Sequence, residues 1–262
     1  MKTKQSIIYI FLIFIGFTYI SRAQITENHH QMIWTSFSLN KKISNKFNVN
    51  YFQLHSIDLN SSKLNFIQSK FSFNFKLQKH LNFSLGYSPT FSLDGVAGNQ
   101  LVYHRVSARL RIKTKLPVHL YMKNSIVGEY HFTQRSKWQE RYYYRLDLEY
   151  RNKHHMPWKM RPFISQKFYW YRNGRLLQYY DAGGNKTDLR SPNGLHAYRF
   201  QAGIKVYPIK KWHFTFYYLK QKEFNSSLFG SKEINSLNPN SGKIRRAFYD
   251  FAVLGFTLSH KL

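Results

Sequence analysis

Arg105, Arg109, Arg111 and Lys113 sit at odd positions of one segment, and Val106, Ala108, Leu110 and Ile112 fill the even positions between them. A strand turns successive side chains to opposite faces, so this spacing gathers guanidinium groups on one side and aliphatic groups on the other. The same polar alternation carries Lys123, Arg141, Arg145, Arg151, Lys167, Arg199 and Lys205 in later segments, and the acids that share it are Glu129, Asp147 and Glu149. Guanidinium groups bind carboxylates and phosphates with paired hydrogen bonds. Two chemistries follow from so few acids among so many bases. Each carboxylate could bridge several cations in a space-filling ion-pair network, or the surplus cations could attract anions from outside.

Nucleophilic chemistry is less well supplied. His104 and Ser107 lie three apart, which puts them on opposite faces of a strand, and Ser191 stands beside Pro192 in a loop near His196. The adjacent pairs His29-His30 and His154-His155 point to opposite sides in an extended chain, so no metal site is expected. The chain has no cysteine, which removes disulfides, thiolate ligands, thiol nucleophiles and a lipid-bearing cysteine. A non-enzymatic protein without cofactor is expected, with an outer-membrane lipid hydrolase as the alternative.

The elements that must hold these residues emerge from composition. The 262 residues carry 40 Lys+Arg against 12 Asp+Glu, a formal charge of +28, with 23 Phe and 20 Tyr. An aromatic content of 18% is too high for disorder, yet the mean hydropathy of −0.51 is polar. A β-barrel reconciles the two, because lipid-facing apolar and lumen-facing polar residues average out. At the N-terminus Lys2 and Lys4 precede an apolar run at residues 7–20, and Ser21-Arg22-Ala23 offers small residues before Gln24. This is the pattern of a cleaved signal peptide, residues 1–23, leaving 24–262 as one domain. Cleavage removes Lys2, Lys4 and Arg22 and lowers the charge by three to +25. Export makes nucleic acid an unsuitable partner despite that charge.

A period of two recurs along the chain. Residues 67–77 read Ile67, Ser69, Phe71, Phe73, Phe75, Leu77 on one face and Gln68, Lys70, Ser72, Asn74, Lys76 on the other. Comparable strands are expected at 33–39, 47–54, 81–88, 102–113, 118–132, 140–151, 161–171, 195–207, 211–221 and 248–262. Short links at 40–46, 78–80, 114–117, 152–160 and 208–211 alternate with longer ones at 55–65, 88–101, 133–139, 172–194 and 222–246. Short periplasmic turns and long extracellular loops are the habit of outer-membrane barrels. Eleven strands would leave the two ends of the wall on opposite sides, and bacterial barrels usually hold an even number. The expectation is therefore an all-β antiparallel transmembrane barrel of twelve strands, ten being the alternative, with a further strand or crossing segment near residues 24–32. A β-sandwich or lipocalin-like core is the soluble alternative, with shorter strands than these.

Trp34, Tyr87, Trp138, Tyr142, Trp158, Trp170, Tyr207 and Trp212 fall near strand ends, where interface aromatics are expected. Loop residues such as Lys41, Arg172, Arg190, Lys232 and Arg246 suit the phosphates of anionic glycolipid. The loop 172–194, rich in Asn-Gly and Gly-Gly, is long enough to form a fold-back hairpin, contact a ligand or close the lumen.

The chain also resembles a known family, the outer-membrane barrels of the domain-of-unknown-function group twenty-four-ninety. The resemblance rests on the early strand Gln31-Met32-Ile33-Trp34, the Arg-rich run from Val102 to Arg111, and the hairpin from Ala197-Tyr198-Arg199-Phe200 through Lys205-Val206 into Trp212-His213-Phe214-Thr215-Phe216-Tyr217-Tyr218. It implies a porin-like or structural outer-membrane barrel, with membrane lipid and the barrel-assembly machinery as partners, and it carries no site residues. The final strand is similar to the assembly signal of such barrels but ends in Leu262, where an aromatic is usual.

Overall fold

The structure is a computed structural model that describes residues 29–92, 101–152, 157–181 and 183–262. The expected signal segment, residues 1–23, and the His154-His155 pair lie outside the described residues.

The described chain is all-β. Eleven strands close into one barrel: β1 (His29–Lys42), β2 (Phe47–Asp58), β3 (Lys63–Lys76), β4 (Leu81–Ser92), β5 (Leu101–Lys115), β6 (Leu120–His131), β7 (Trp138–Tyr150), β8 (Arg161–Asn173), β11 (Gly194–Ile209), β12 (Trp212–Glu223) and β15 (Asp250–Lys261). Two small hairpins stand apart from the wall, β9 (Leu177–Tyr180) with β10 (Lys186–Arg190), and β13 (Leu237–Asn238) with β14 (Lys243–Ile244). Successive wall strands pair antiparallel. The exception is the seam, where β1 runs parallel to β15 from His29 against Asp250 to Asn40 against Lys261.

That seam corrects the expected strand count. Among the described residues the barrel closes with eleven strands, because β1 begins at His29 and pairs directly with the last strand. Its two ends do lie on opposite sides, and parallel pairing accommodates them where a twelfth strand was expected. Ser36 Oγ and Thr257 Oγ1 meet across the seam at 2.7 Å, and Ser36 also donates to the Phe256 carbonyl at 3.2 Å.

Turn chemistry sets the two ends of the wall. At one end the links are short: Ser44 Oγ accepts from the Lys46 and Phe47 amides, Val118 and His119 both adopt positive φ, and β11 passes to β12 through Lys210 and Lys211. The loop expected at 55–65 shrinks to residues 59–62, because alternation continues through buried Ser56 to Asp58. Asp58 Oδ1 then accepts from the Asn60 amide at 2.8 Å and starts the turn. The remaining long connections share that end with the start of β1.

Alternation sorts the side chains as the sequence predicts in β3 to β5. Phe71, Phe73, Leu85 and Leu110 face outward and exposed, whereas Ser72, Ser84, Ser88 and Arg109 face inward. One aromatic is locked into the wall from inside. The ring of Tyr217 lies on Gly255 so closely that a Cβ there would come within 2.0 Å of its Cζ and force the ring to move.

Because the chain has no cysteine, the seam can be trapped cleanly. A Ser36→Cys/Thr257→Cys variant is expected to form an intramolecular disulfide on mild oxidation, read as a mobility shift reversed by reductant. Ser38→Cys/Val253→Cys, six residues out of register along the same seam, is expected to stay reduced. Crosslinking of the second pair and not the first would mean a different closure.

Candidate functional site

The inward faces of β5, β6, β7 and β8 bring the basic residues and the few acids together. Glu129 on β6 accepts from Arg141 Nε at 2.8 Å and Nη2 at 2.6 Å, and from Arg105 Nη1 at 3.4 Å. Asp147 on β7 pairs with Arg145 at 2.7 Å. Glu149, 2% exposed, lies within reach of four cations: Arg151 at 2.5 Å, Lys205 at 2.5 Å, Lys123 at 3.4 Å and Arg161 at 3.8 Å. These cations come from four different parts of the wall, so one carboxylate ties β6, β7, β8 and β11 together. Their spacing is the ordinary pleat: an acid on one strand meets the inward bases of the strands on either side.

All eleven expected lumen bases fall on or near this surface. Arg109 bonds Asn74 Oδ1 and Ser84 Oγ at 3.1 Å each, and Arg111 Nε reaches Ser125 Oγ at 3.4 Å. Arg199 is held by Gln221 Oε1 at 3.0 and 2.5 Å. Lys113 differs in sitting exposed near the short-turn rim.

The aromatics divide differently from the expectation. Tyr87, Tyr142, Trp170 and Trp212 do face outward: Trp212 stacks on His260 at the short-turn end, and Trp170 meets Phe229 at the long-loop end. Trp34, Trp138 and Tyr207 turn inward instead. Trp34 Nε1 donates to Ser56 Oγ at 2.9 Å, Trp138 packs on Tyr171 with ring centroids 4.5 Å apart, and Tyr207 lies under Arg161 at 4.2 Å. The cause is the cationic interior, whose charges stack on aromatic faces. Arg199 lies over Trp34, Tyr169 and Phe251, Arg141 over Tyr169, and Lys167 over Tyr143 at 5.2 Å.

The long-loop mouth is covered. Residues 224–249 bring Ile234, 0% exposed, and Phe248 against Tyr169, Tyr171 and Ala197. Under them Lys137 pairs with Glu223 and donates to the Ala247 carbonyl at 2.7 Å. Glu223 also accepts from Tyr171 Oη at 3.0 Å and from the Tyr249 amide at 2.9 Å. The β9–β10 hairpin lies on this cap, as the fold-back form of loop 172–194 predicts. Tyr179 Oη donates to the Glu233 carbonyl at 2.8 Å, Arg245 to that of Gln178 and Arg246 to that of Leu176, at 2.9 Å each. Burial in this cap pushes the Tyr179 phenol up to about 12. In the loop between β6 and β7, burial and the nearby Arg141 push the Arg135 guanidinium down to about 10 while it lies over Tyr103 at 4.2 Å. Lys137 and Glu223 escaped the sequence reading, because they sit at strand ends with no local periodicity.

The residues considered for hydrolysis do not assemble. His104 Nδ1 meets Tyr87 Oη at 2.7 Å on the outer face, while Ser107 Oγ donates inside to the Gly86 carbonyl. Ser191 Oγ donates to the Gly174 carbonyl, and the His196 ring is held against the Phe224 carbonyl. His196 occupies a bulge between Leu195 and Ala197, which buries it beside Tyr171.

Between these layers the barrel encloses a cavity of about 320 Å3, with Arg111, Lys123, Arg145, Lys167, Arg199 and Lys205 on its wall. No protein-family model matches the chain, and no curated protein matches it.

Removing one carboxylate from a buried network leaves its cations uncompensated, at a cost of about 3–5 kcal/mol. Glu149→Gln is expected to lower the unfolding free energy by an amount in that range, followed by tryptophan fluorescence in urea. Asp188→Asn, which breaks only the exposed contacts with Lys232 and Arg190, is expected to change it by less than about 1 kcal/mol. Equal effects of the two would deny the lumen network its structural weight.

Proposed function

We propose that this chain is an exported protein that loses residues 1–23 and inserts as a β-barrel into the bacterial outer membrane, where its basic lumen favours small anions. One observation carries the membrane part. Exposed large apolar side chains cover the outside of the wall on β3, β4, β5, β6, β8, β12 and β15, among them Phe73, Leu85, Leu110, Ile126 at 65%, Ile164, Phe216 at 53% and Leu254 at 61%. A soluble protein seldom carries so extensive an apolar surface. Most charges of these strands lie on the other face, where lipid does not reach, and outward ones such as Arg172 and Lys220 stand toward the long-loop end. Barrel strands of 12 to 16 residues also exceed the roughly 9–11 needed to cross a bilayer at a tilt. Unpaired cations inside support the anion preference, since rings of Arg and Lys attract anions. The resemblance to outer-membrane barrels of unknown function agrees with this reading, as do two levels of outward tryptophan.

The capped mouth bears on the mechanism. With residues 224–249 seated on Tyr169 and Tyr171, passage would require that cap to lift, so current is expected as brief openings rather than a steady conductance. Membrane fractions washed with carbonate and urea are expected to retain the protein, and a refolded sample in a planar bilayer under a KCl gradient is expected to show a reversal potential of the sign set by chloride. A protein that folds and stays soluble without detergent or lipid would overturn the membrane reading. Cation-selective current would overturn the anion-favouring one, and no current at all would overturn passage through the lumen.

A further inference from the structure

The lumen cavity has two unlike walls. Its cations come from one arc of the barrel: Arg111 on β5, Lys123 on β6, Arg145 on β7, Lys167 on β8, with Arg199 and Lys205 on β11. The opposite arc, strands β12, β15, β1 and β2, presents Tyr217, Leu219, Thr257, Trp34 and Phe52. No formal charge stands on that second arc of the cavity lining.

Cations on the first arc are unevenly compensated. Lys123 and Lys205 share Glu149, and Arg145 has Asp147. Arg111, Lys167 and Arg199 have no carboxylate partner among the described residues: Arg111 has a serine hydroxyl, Arg199 a glutamine carbonyl and Lys167 the face of Tyr143. Charges held inside a barrel without counter-charge are costly, and an anion that reaches them replaces bulk water with strong charge-assisted hydrogen bonds. A volume of about 320 Å3 lies at the lower end of small-molecule pockets, too large for a lone inorganic anion to fill.

We propose that this cavity is a binding site for a small organic anion, an aryl or similarly apolar body bearing a carboxylate or phosphate. Its anionic group lies against Arg111, Lys167 and Arg199, and its body lies against Trp34, Phe52 and Tyr217. This deepens the anion-favouring reading and rests on it for the sign of the ligand. It adds a requirement that a simple basic pore lacks, namely that the apolar body contributes to binding.

Phenyl phosphate, inorganic phosphate and benzyl alcohol separate the two contributions. They are titrated by calorimetry into the full mature chain refolded in phosphatidylcholine vesicles, with intrinsic tryptophan fluorescence as a second readout. Phenyl phosphate is expected to bind saturably at one equivalent, at least tenfold tighter than inorganic phosphate, with no saturable binding of benzyl alcohol. Arg199→Gln and Lys167→Met are each expected to weaken phenyl phosphate at least tenfold, whereas Lys63→Gln, in an exposed position at the start of β3, leaves it unchanged. The Ser36→Cys/Thr257→Cys crosslink, built into each variant, verifies that the barrel has closed, and Arg111→Gln substitutes for any variant that fails to close. Absence of saturable phenyl phosphate binding to the wild type overturns the site, and so does undiminished binding in closed lumen variants. Inorganic phosphate binding as tightly as phenyl phosphate overturns the proposed ligand class. Because binding is read at equilibrium, it stands apart from conduction. Saturable binding without anion-selective current defeats transport and leaves the site; anion-selective current without binding does the reverse.

Discussion

A sheet that closes on itself leaves no edge unpaired, and everything in this barrel depends on the ladder between β1 and β15. With eleven strands that ladder has to be parallel. The slanted bonds of a parallel pair are slightly weaker than those of an antiparallel one. The seam gains side-chain support on its inner face from the Ser36–Thr257 hydroxyl contact, and on β12 from Tyr217 lying across Gly255. Closure also sets the volume of the interior, which is narrow enough for a carboxylate on β7 to reach a lysine on β11.

Closure then dictates how charge is distributed. Alternation sends half of each strand inward, and the inward half of β5 to β8 and β11 is rich in Arg and Lys. Glu129, Asp147 and Glu149 stand among them where each can serve more than one strand or hold the flanking base on its own strand. Aromatic faces take up part of the remaining charge, as Trp34 and Tyr169 do for Arg199. What is left over faces a cavity with an uncharged far wall. The cap at the long-loop end uses the same devices, with Lys137 and Glu223 joining the wall to residues 247–249.

Much of this was legible in the residues. In 67–77 and 102–113 the two faces differ so sharply in polarity that the outward set, Phe71, Phe73, Phe75, Val106 and Leu110, follows from alternation alone. Where both faces carry aromatics the pattern is silent. Tyr142, Tyr143 and Tyr144 are consecutive, and only the middle one turns inward to receive Lys167. Trp34 and Trp138 near strand ends were read as interface residues, yet the cationic interior claims them. Strand parity misled for a different reason: it assumed that the wall must close antiparallel. The Lys137–Glu223 pair spans 86 residues of sequence, and no local spacing announces it.

The central claim is that lipid lies on one face of every wall strand and the charged lumen on the other. With no native cysteine, single Cys variants at each position from 68 to 75 in β3 can carry a nitroxide in lipid bilayers. Collision with oxygen, which concentrates in the acyl region, is expected to peak at 69, 71, 73 and 75 and fall at 68, 70, 72 and 74, in antiphase with a water-soluble nickel complex. A profile without that two-residue period, or one with oxygen maxima at Lys70, Ser72 and Asn74, would contradict it.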